Sequence, residues 1–417
     1  MPMFFRFGYQ RFVTVLASPA CIGVAALVLP FAVPAADWPH WRGPERTGLS
    51  TESGWLDRWP AEGPKVAWRG QVGLGFSSFA VAQGRVFTLG HADGKDSVFC
   101  FDAESGRELW RHSYPAELGD KFFDGGTTGT PAVDGARVYA LSRWGDTFCL
   151  QAADGKVVWS KNVQKDTGAR VPDWGFSGSP LVQGDKLVLN VGEAGLALNK
   201  ETGAILWQSG PKSAGYSTPL PLKRGADELI VLGSGQSYVA VAARDGKAAF
   251  RIRWLTQYGV NAADPVIAGD RLFLSTGYDK GAALFKLSGA EPEQLWKSKV
   301  LRTQLNGAVL YEGHLYGGDG DSDGRGPMKC VELASGQEKW AHNGFGTGGL
   351  MIADGKLIAL SARGEFFVAP ATPSGFKPTA RAQLLGGKCW TAPVLSDGRI
   401  FGRSSRGDVI CLDVRTK

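Results

Sequence analysis

The residues best suited to metal chemistry lie in one short acidic stretch, residues 318–324, which read GDGDSDG. Three carboxylates at alternate positions can wrap around a hard cation such as Ca²⁺, and the glycine that follows permits a sharp turn. The twelfth position of an EF-hand would fall on Cys330, a poor calcium ligand, so the stretch is not an EF-hand. Two interpretations remain: a weak calcium site at Asp319, Asp321 and Asp323, or a solvated loop between two strands.

A second group of residues has the chemistry to bind a ligand. Asp264 precedes a proline at a point where similar segments of the chain carry Thr, Ser or Ala. If that segment is the innermost strand of a repeated sheet, its carboxylate faces a central channel. We therefore expect ligand or channel contacts, with ordinary packing or hydrogen bonding as the alternative for each, from Asn261, Asp264, Asn306, Trp174, Lys388, Trp390 and Arg403.

Established catalytic patterns are missing from the sequence. It has no G-x-S-x-G nucleophile motif, and its five histidines are scattered without zinc-ligand spacing. We assign no catalytic residue. The net charge of +6 is small for 417 residues and no run of Lys and Arg occurs, which argues against a nucleic-acid partner.

The N-terminus has the order of a secretory signal. Arg6 and Arg11 come first, an apolar stretch spans residues 12–33, and small residues follow at 34–36. We predict cleavage after Ala35 or Ala36, which leaves no membrane span and a periplasmic or secreted protein. An uncleaved anchor is the alternative, because the apolar stretch is about 20 residues long. Cys21 lies in a faint lipoprotein-like box, but the apolar region before it is too short.

A repeat supplies the elements that position these residues. A glycine followed four residues later by tryptophan recurs, for example at 106 and 110, in units of four short β-type segments. Units start about every 44 residues, which is the period of a propeller blade. We predict an all-β, eight-bladed β-propeller, with seven blades as the main alternative. The eighth unit lacks its last strand, and the segment around Trp68 supplies it and closes the ring. The domains are residues 1–36 (signal), 37–76 (N-terminal segment) and 77–417 (propeller).

The repeat resembles the tryptophan-docking repeat of PQQ-type quinoprotein propellers. That resemblance implies that each tryptophan packs between neighbouring blades, at Trp68, Trp110, Trp159, Trp207, Trp296 and Trp340. Residues 37–44 (DWPHWRGP) and 387–394 resemble a narrower group, the exported PQQ-like propellers of planctomycete and verrucomicrobial bacteria. The architecture is also similar to the propeller lipoprotein of the outer-membrane β-barrel assembly machinery.

Function is less constrained than fold. PQQ dehydrogenases hold the quinone against a disulfide of adjacent cysteines, and no two cysteines are adjacent here. We therefore expect no PQQ, free core thiols, and calcium as the one possible cofactor. The sequence favours an exported, monomeric, non-catalytic binding or scaffold protein of the cell envelope, which presents one rim to a protein, peptide or glycan. The alternative is an oxidoreductase that uses PQQ or another cofactor.

Overall fold

The structure is a computed structural model that describes residues 1–4, 8, 36–321 and 325–416. The chain divides into two compact units, Met1–Pro34 and Ala35–Lys417. In the first unit the described residues, 1–4 and 8, have no regular secondary structure. The predicted signal at 1–36 falls almost entirely outside the described residues and stays a prediction. Among the helices that the structure describes, none has the length and apolar character needed to cross a membrane.

The second unit is a ring of eight antiparallel blades of four strands each, one of which gains a fifth, parallel strand, and this confirms the eight-bladed propeller over the seven-bladed alternative. Two strands precede the blades, β1 (Leu49–Ser50) and β2 (Lys65–Gln71). Blades 1 to 4 comprise β3 (Ala80–Ala82), β4 (Arg85–Ala92), β5 (Lys95–Asp102) and β6 (Glu108–Pro115); β7 (Ala132–Asp134), β8 (Arg137–Leu141), β9 (Asp146–Gln151) and β10 (Val157–Asn162); β11 (Leu181–Gln183), β12 (Lys186–Leu189), β13 (Leu196–Asn199) and β14 (Ile205–Gln208); and β15 (Leu220–Arg224), β16 (Asp227–Gly233), β17 (Ser237–Ala242) and β18 (Ala248–Arg253).

The remaining blades continue in chain order, and helical structure is confined to α1 (Val163–Thr167) and a 3₁₀ turn (Gln257–Gly259) among the described residues. Blades 5 to 8 comprise β19 (Val266–Ala268), β20 (Arg271–Thr276), β21 (Gly281–Lys286) and β22 (Glu293–Ser298); β23 (Val309–Tyr311), β24 (His314–Gly318), β25 (Met328–Glu332) and β26 (Glu338–His342); β27 (Gly349–Ala353), β28 (Lys356–Leu360), β29 (Glu365–Pro370) and β30 (Ala380–Gln383); and β31 (Val394–Ser396), β32 (Arg399–Arg403) and β33 (Asp408–Asp413) together with β2.

The N-terminal strand closes the ring, as the sequence predicts. Strand β2 pairs antiparallel with β33, with Lys65 opposite Asp413 and Trp68 opposite Cys411. The ammonium of Lys65 lies 3.0 Å from the Asp413 carboxylate. Because β33 pairs with β32 on one side and with β2 on the other, neither of its edges is left open.

Tryptophans at the outer strands pack against the next blade. Each indole N–H donates to a main-chain carbonyl of the following blade at 2.8–3.2 Å, and the pairs are Trp68 with Ala103, Trp110 with Ala152, Trp159 with Lys200, Trp207 with Ala243, Trp296 with Leu333 and Trp340 with Thr372. The ring covers the repeat glycine in most of these pairs: a β-carbon on Gly155 would lie 2.5 Å from Cε3 of Trp110. Burial of a large ring with its N–H satisfied locks neighbouring blades together.

Four cysteines lie directly across the ladder from docking tryptophans. Cys100 is opposite Trp110, and Cys149, Cys330 and Cys411 occupy the same place in their blades. All five cysteines of the described chain are buried and unpaired, since Cys389 is buried as well. Burial raises the pKa of these thiols to about 11 or 12. They therefore behave as small apolar side chains that fill the space beside the indole.

The first strands of neighbouring blades contact one another around the ring axis, as β3 and β7, β7 and β11, and β23 and β27 do. The residues that follow the predicted signal lie along these inner strands. We call residues 37–50 the plug segment. It pairs with blade 1 through Trp38 and Val81, and its β1 pairs parallel with β27 of blade 7. Trp38 is 3 % exposed. The plug segment therefore occupies the axial channel.

Candidate functional site

A cavity of about 350 Å³ opens at the face where the chain enters the first strand of each blade. Ten of the lining residues lie in the segments that lead into the first strands of seven blades. They carry hydroxyl, amide, acidic, basic or aromatic groups and are Phe76, Thr130, Trp174, Ser179, Tyr216, Thr218, Asp264, Asn306, Lys388 and Trp390. Trp41 of the plug segment also lines it. The propeller thus builds one cavity from loops of seven blades, with the plug segment beneath.

A belt of hydrogen bonds fixes the polar side of the cavity. The N–H of Ser78 donates to Thr130 Oγ1 at 2.9 Å, and the N–H of Thr130 donates to Ser179 Oγ at 2.9 Å. The N–H of Ser179 then donates to Thr218 Oγ1 at 3.2 Å, and the N–H of Thr218 donates to Asp264 Oδ1 at 2.7 Å. In each of blades 2 to 5, one side chain therefore satisfies the main chain of the blade before it. This explains why Thr, Ser and Asp share one repeat position.

Asp264 ends this belt at the floor of the cavity. It is 6 % exposed, and its second oxygen accepts from the indole N–H of Trp41 at 2.5 Å. Burial raises the pKa of Asp264, while the charges of Arg42 and Arg46 and the hydrogen bonds oppose the rise. Both carboxylate oxygens are thus engaged inside the protein. The residue joins the plug segment to blades 4 and 5.

Aromatic side chains form the walls in two groups. One group lines the cavity with Phe122, Trp174, Tyr216 and Tyr278, and Tyr258 packs beside these rings at the rim without lining it. Trp174 sits at its centre, with ring centroids 5.3 Å from Phe122, 5.8 Å from Tyr216 and 6.4 Å from Tyr258. The centroid of Tyr278 lies 5.7 Å from that of Tyr258. We call these five residues the tyrosine side of the cavity.

The opposite wall holds Phe76, Phe123 and Trp390. Phe76 stacks on Trp390 with centroids 5.2 Å apart and contacts Phe123 at 5.7 Å. The amide of Asn306 donates to the carbonyl of Trp390 at 2.7 Å and so fixes that segment. Lys388 pairs with Asp124 at 2.6 Å and lies 5.2 Å above the Trp390 ring. The cation is therefore largely neutralised at the rim.

Two rings of the tyrosine side remain open to solvent. Tyr258 is 65 % exposed and Phe122 is 50 % exposed. Tyr258 also has φ of +61°, within the 3₁₀ turn. A bulky residue in the left-handed region is strained, and such strain persists mainly at functional sites. Tyr258 therefore combines an exposed ring with a strained backbone.

The structure brings together five of the seven ligand candidates, since Asp264, Asn306, Trp174, Lys388 and Trp390 all line the cavity. Asn261 and Arg403 do not line it. Asn261 is buried and donates to the carbonyls of Ser234 and Trp254.

Arg403 has a structural position between blades 8 and 1. Its guanidinium is buried and donates to the carbonyls of Leu89 at 2.7 Å, Ser77 at 3.0 Å and Gly73 at 3.2 Å. Burial lowers its pKa to about 9. These contacts hold the last blade to the first, so the guanidinium is occupied by main-chain acceptors.

Sequence reasoning missed Trp41 and the aromatic lining residues 76, 122, 123 and 278, as well as Tyr258 at the rim. The loops that carry them differ in length from blade to blade, so the repeat does not assign their positions. For Trp41 a signal was present: the stretch DWPHWRGP at 37–44 has two tryptophans and an arginine outside any repeat. Such a stretch must be buried somewhere, and the axial channel is the space left for it.

The acidic loop is only partly described. Asp319 is 2 % exposed and lies 3.0 Å from Arg302 and 3.1 Å from Lys329. Burial alone would raise its pKa, but hydrogen bonds from these two cations lower it overall. Asp321 accepts the N–H of Tyr278, and Asp323 lies outside the described residues. Within the described ranges no cluster of three or more His, Cys, Asp or Glu forms a metal site. Calcium binding stays a prediction. A Ca²⁺ ion at this loop would have to compete with Arg302 and Lys329 for the Asp319 carboxylate.

The residues around the cavity do not fit a quinone cofactor held in the way the resemblance implies. Cys389 is the cysteine nearest the lining in sequence, and it is buried and unpaired. Among the described lining residues Asp264 is the one acid and Lys388 the one base, and both already have partners. A quinone with several carboxylates would meet one neutralised lysine. We derive no redox step from this site.

Comparisons with known proteins agree with the fold. BamB from Moraxella catarrhalis is 16 % identical, with a TM-score of 0.63 over 84 % of this chain and 99 % of that chain. The quinohemoprotein alcohol dehydrogenase from Comamonas testosteroni is 14 % identical, with a TM-score of 0.67 over 92 % of this chain and 81 % of that one. Europium-containing methanol dehydrogenase is 13 % identical, with a TM-score of 0.64 over 90 % and 89 %. At these identities the likeness concerns the fold alone. No curated protein gives a significant match.

A match to a family model shows the family of the chain, which the structural similarities alone do not show. The model described as "Outer membrane protein assembly factor BamB" matches residues 52–128 and 94–342, which together cover more than half of the chain. The matched region runs from just after the plug segment to the end of blade 6. The chain is therefore a member of the outer membrane protein assembly factor BamB family.

Proposed function

We propose that this protein is a non-catalytic binding protein of the cell envelope, which captures an exposed apolar segment of another protein in the aromatic cavity. The observation that carries the proposal is the open tyrosine side: the exposed Phe122 lines the cavity together with Ser and Thr residues, and the exposed Tyr258 lies next to Trp174 at the rim. Rings offer large contact areas at small entropic cost, and the hydroxyls can pair with peptide groups. The occupied carboxylate of Asp264 gives no free acid or base for a reaction.

The family supports a partner of one kind. An assembly factor for outer membrane proteins would meet their strands before they are folded. Such strands alternate apolar and polar residues and carry aromatic side chains near both membrane interfaces. We infer that the cavity takes a segment of this type, in the periplasm or after secretion. The predicted N-terminal signal is consistent with that location.

The binding test uses 15-residue fluorescent peptides tiled along an outer-membrane β-barrel protein, measured by fluorescence anisotropy. Two variants remove rim rings: Tyr258→Asn, because asparagine tolerates the left-handed backbone, and Phe122→Ala. Each should weaken the best peptide at least about tenfold, the size of effect typical of an aromatic anchor. The control is Leu206→Ala, which removes a 43 % exposed apolar side chain from β14, outside the cavity lining.

Two results would overturn the proposal. In the first, wild-type protein and both rim variants bind the peptides equally. In the second, no peptide binds while fragments of envelope glycan do, and the rim variants lose that binding. The melting temperature of each variant must stay near the wild-type value, so that lost binding is not lost folding.

A further inference from the structure

The plug segment places two buried arginines in the axial channel. Arg42 is 8 % exposed and Arg46 is 6 % exposed. Asp264 is the acid whose charge raises the pKa of both guanidiniums, and burial lowers the two pKa values more strongly. The pKa of Arg46 falls to about 10, so it remains protonated at neutral pH. Two cations and one acid leave an excess positive charge at the centre of the ring.

Protein groups do not compensate this charge. Arg46 has no hydrogen-bond partner for Nη1 or Nη2 among the described residues, and both atoms are shielded from solvent. Arg42 donates from Nη2 to the carbonyls of Ala308 at 2.7 Å and Thr47 at 3.0 Å, while its Nε has no partner. In the described part of the chain neither guanidinium comes within 4.0 Å of the Asp264 carboxylate. A buried charge without a partner is strongly destabilising.

The backbone holds both guanidiniums in place. Arg42 and Arg46 have φ of +64° and +56°, which is rare for residues with a side chain. The N–H of Gly48 donates to the carbonyl of Arg42 at 2.9 Å and closes the turn. Gly307 makes room, because a β-carbon there would lie 2.5 Å from Nη1 of Arg42. Strain and clearance together favour a preorganised site over a chance arrangement.

We propose that Arg46, in the same plug segment as Arg42, forms a buried anion site in the channel, and that its ligand is a small monovalent inorganic anion of the size of chloride. Such an ion neutralises the excess charge and accepts hydrogen bonds from the unpaired N–H groups of Arg46. It binds within the plug segment, whose Trp41 lines the cavity, and it stabilises the contact between the plug segment and the blades. This site is independent of what the cavity binds.

The test measures melting temperature against chloride concentration at constant ionic strength, with gluconate, a larger organic anion, as the replacement. Wild-type protein should show a saturable rise in Tm, because a ligand that binds only the folded state stabilises it by mass action. Arg46→Met keeps the length of the side chain and removes its charge, so its Tm should not respond to chloride. The control is Arg244→Met, since the Arg244 side chain is 87 % exposed, and it should respond like the wild type.

A flat wild-type titration, or an equal rise in Arg46→Met, would overturn the proposal. If Arg46→Met does not fold, crystals of wild-type protein grown in bromide decide the matter. An anomalous peak beside Arg46 supports the site, and an empty channel at saturating bromide refutes it. None of these measurements involves the peptide partner, so the proposed function can fail while the anion site stands.

Discussion

The docking of Trp110 over Gly155 gives the sharpest test of how the blades hold together. Gly155 is buried with φ of +73°, and an added β-carbon would lie 2.5 Å from the indole. Gly184, in the turn between β11 and β12, has φ of +59° with open space where its β-carbon would be. Gly155→Ala therefore adds backbone strain and a clash, whereas Gly184→Ala adds the strain alone.

The expected free energies follow from these two contributions. An alanine in the left-handed region costs about 1–2 kcal/mol of unfolding free energy, which sets the loss for Gly184→Ala. Overpacking against the rigid indole adds about 1–3 kcal/mol, so Gly155→Ala should lose about 2–5 kcal/mol in total. Trp110→Ala should lose about 3–5 kcal/mol, because it deletes a buried ring. In that background Gly155→Ala should cost no more than the control, since the ring it would strike is gone.

Urea denaturation followed by tryptophan fluorescence and by circular dichroism measures all four proteins and the wild type. Agreement of the two probes establishes that unfolding free energies are comparable among them. The reasoning is refuted if Gly155→Ala and Gly184→Ala lose the same stability. It is also refuted if Gly155→Ala costs as much without Trp110 as with it, because the indole would then not be the group that the methyl strikes.

Three further predictions concern other parts of the ring. Deletion of residues 37–70 should lower Tm strongly or prevent folding, because it removes the plug segment and the outer strand of blade 8; an unchanged Tm by scanning calorimetry would contradict ring closure. Burial, helped by the charge of Arg46, lowers the pKa of His40 to about 3, so the unfolded chain takes up a proton below pH 6.5 while the folded chain does not. The contribution of His40 to the unfolding free energy should therefore fall by about 1.4 kcal/mol per pH unit as the pH drops from 6.5 towards 3. His40→Gln lacks this contribution, so its urea midpoint should fall less steeply with pH than that of the wild type; parallel pH profiles would refute the prediction. If the acidic loop binds Ca²⁺, millimolar Ca²⁺ but not Mg²⁺ should raise Tm, and Asp321→Asn should weaken the rise; no shift would leave the loop a solvated turn.

The sequence by itself determined the ring. The glycine-to-tryptophan spacing recurs because, in five of the eight blades, a glycine makes the turn between the last two strands and a tryptophan from the neighbouring blade covers that turn. A contact of this kind repeats with the chain, so its period can be read without coordinates. The missing eighth outer strand and its replacement around Trp68 followed from the same count.

The tertiary structure decided the site. Asp264 was visible as an exception to the repeat, but its two partners, Thr218 and Trp41, lie 46 and 223 residues away. The tyrosine side comes from loops of unequal length, which carry no period. The plug segment has no repeat at all, and its contacts with the blades, such as that of Arg42 with Ala308, place its arginines. Contacts that repeat from blade to blade, such as those of the docking tryptophans, leave a regular spacing in the sequence. Contacts that a single segment makes with several blades leave no such spacing, because they form only when the ring is closed.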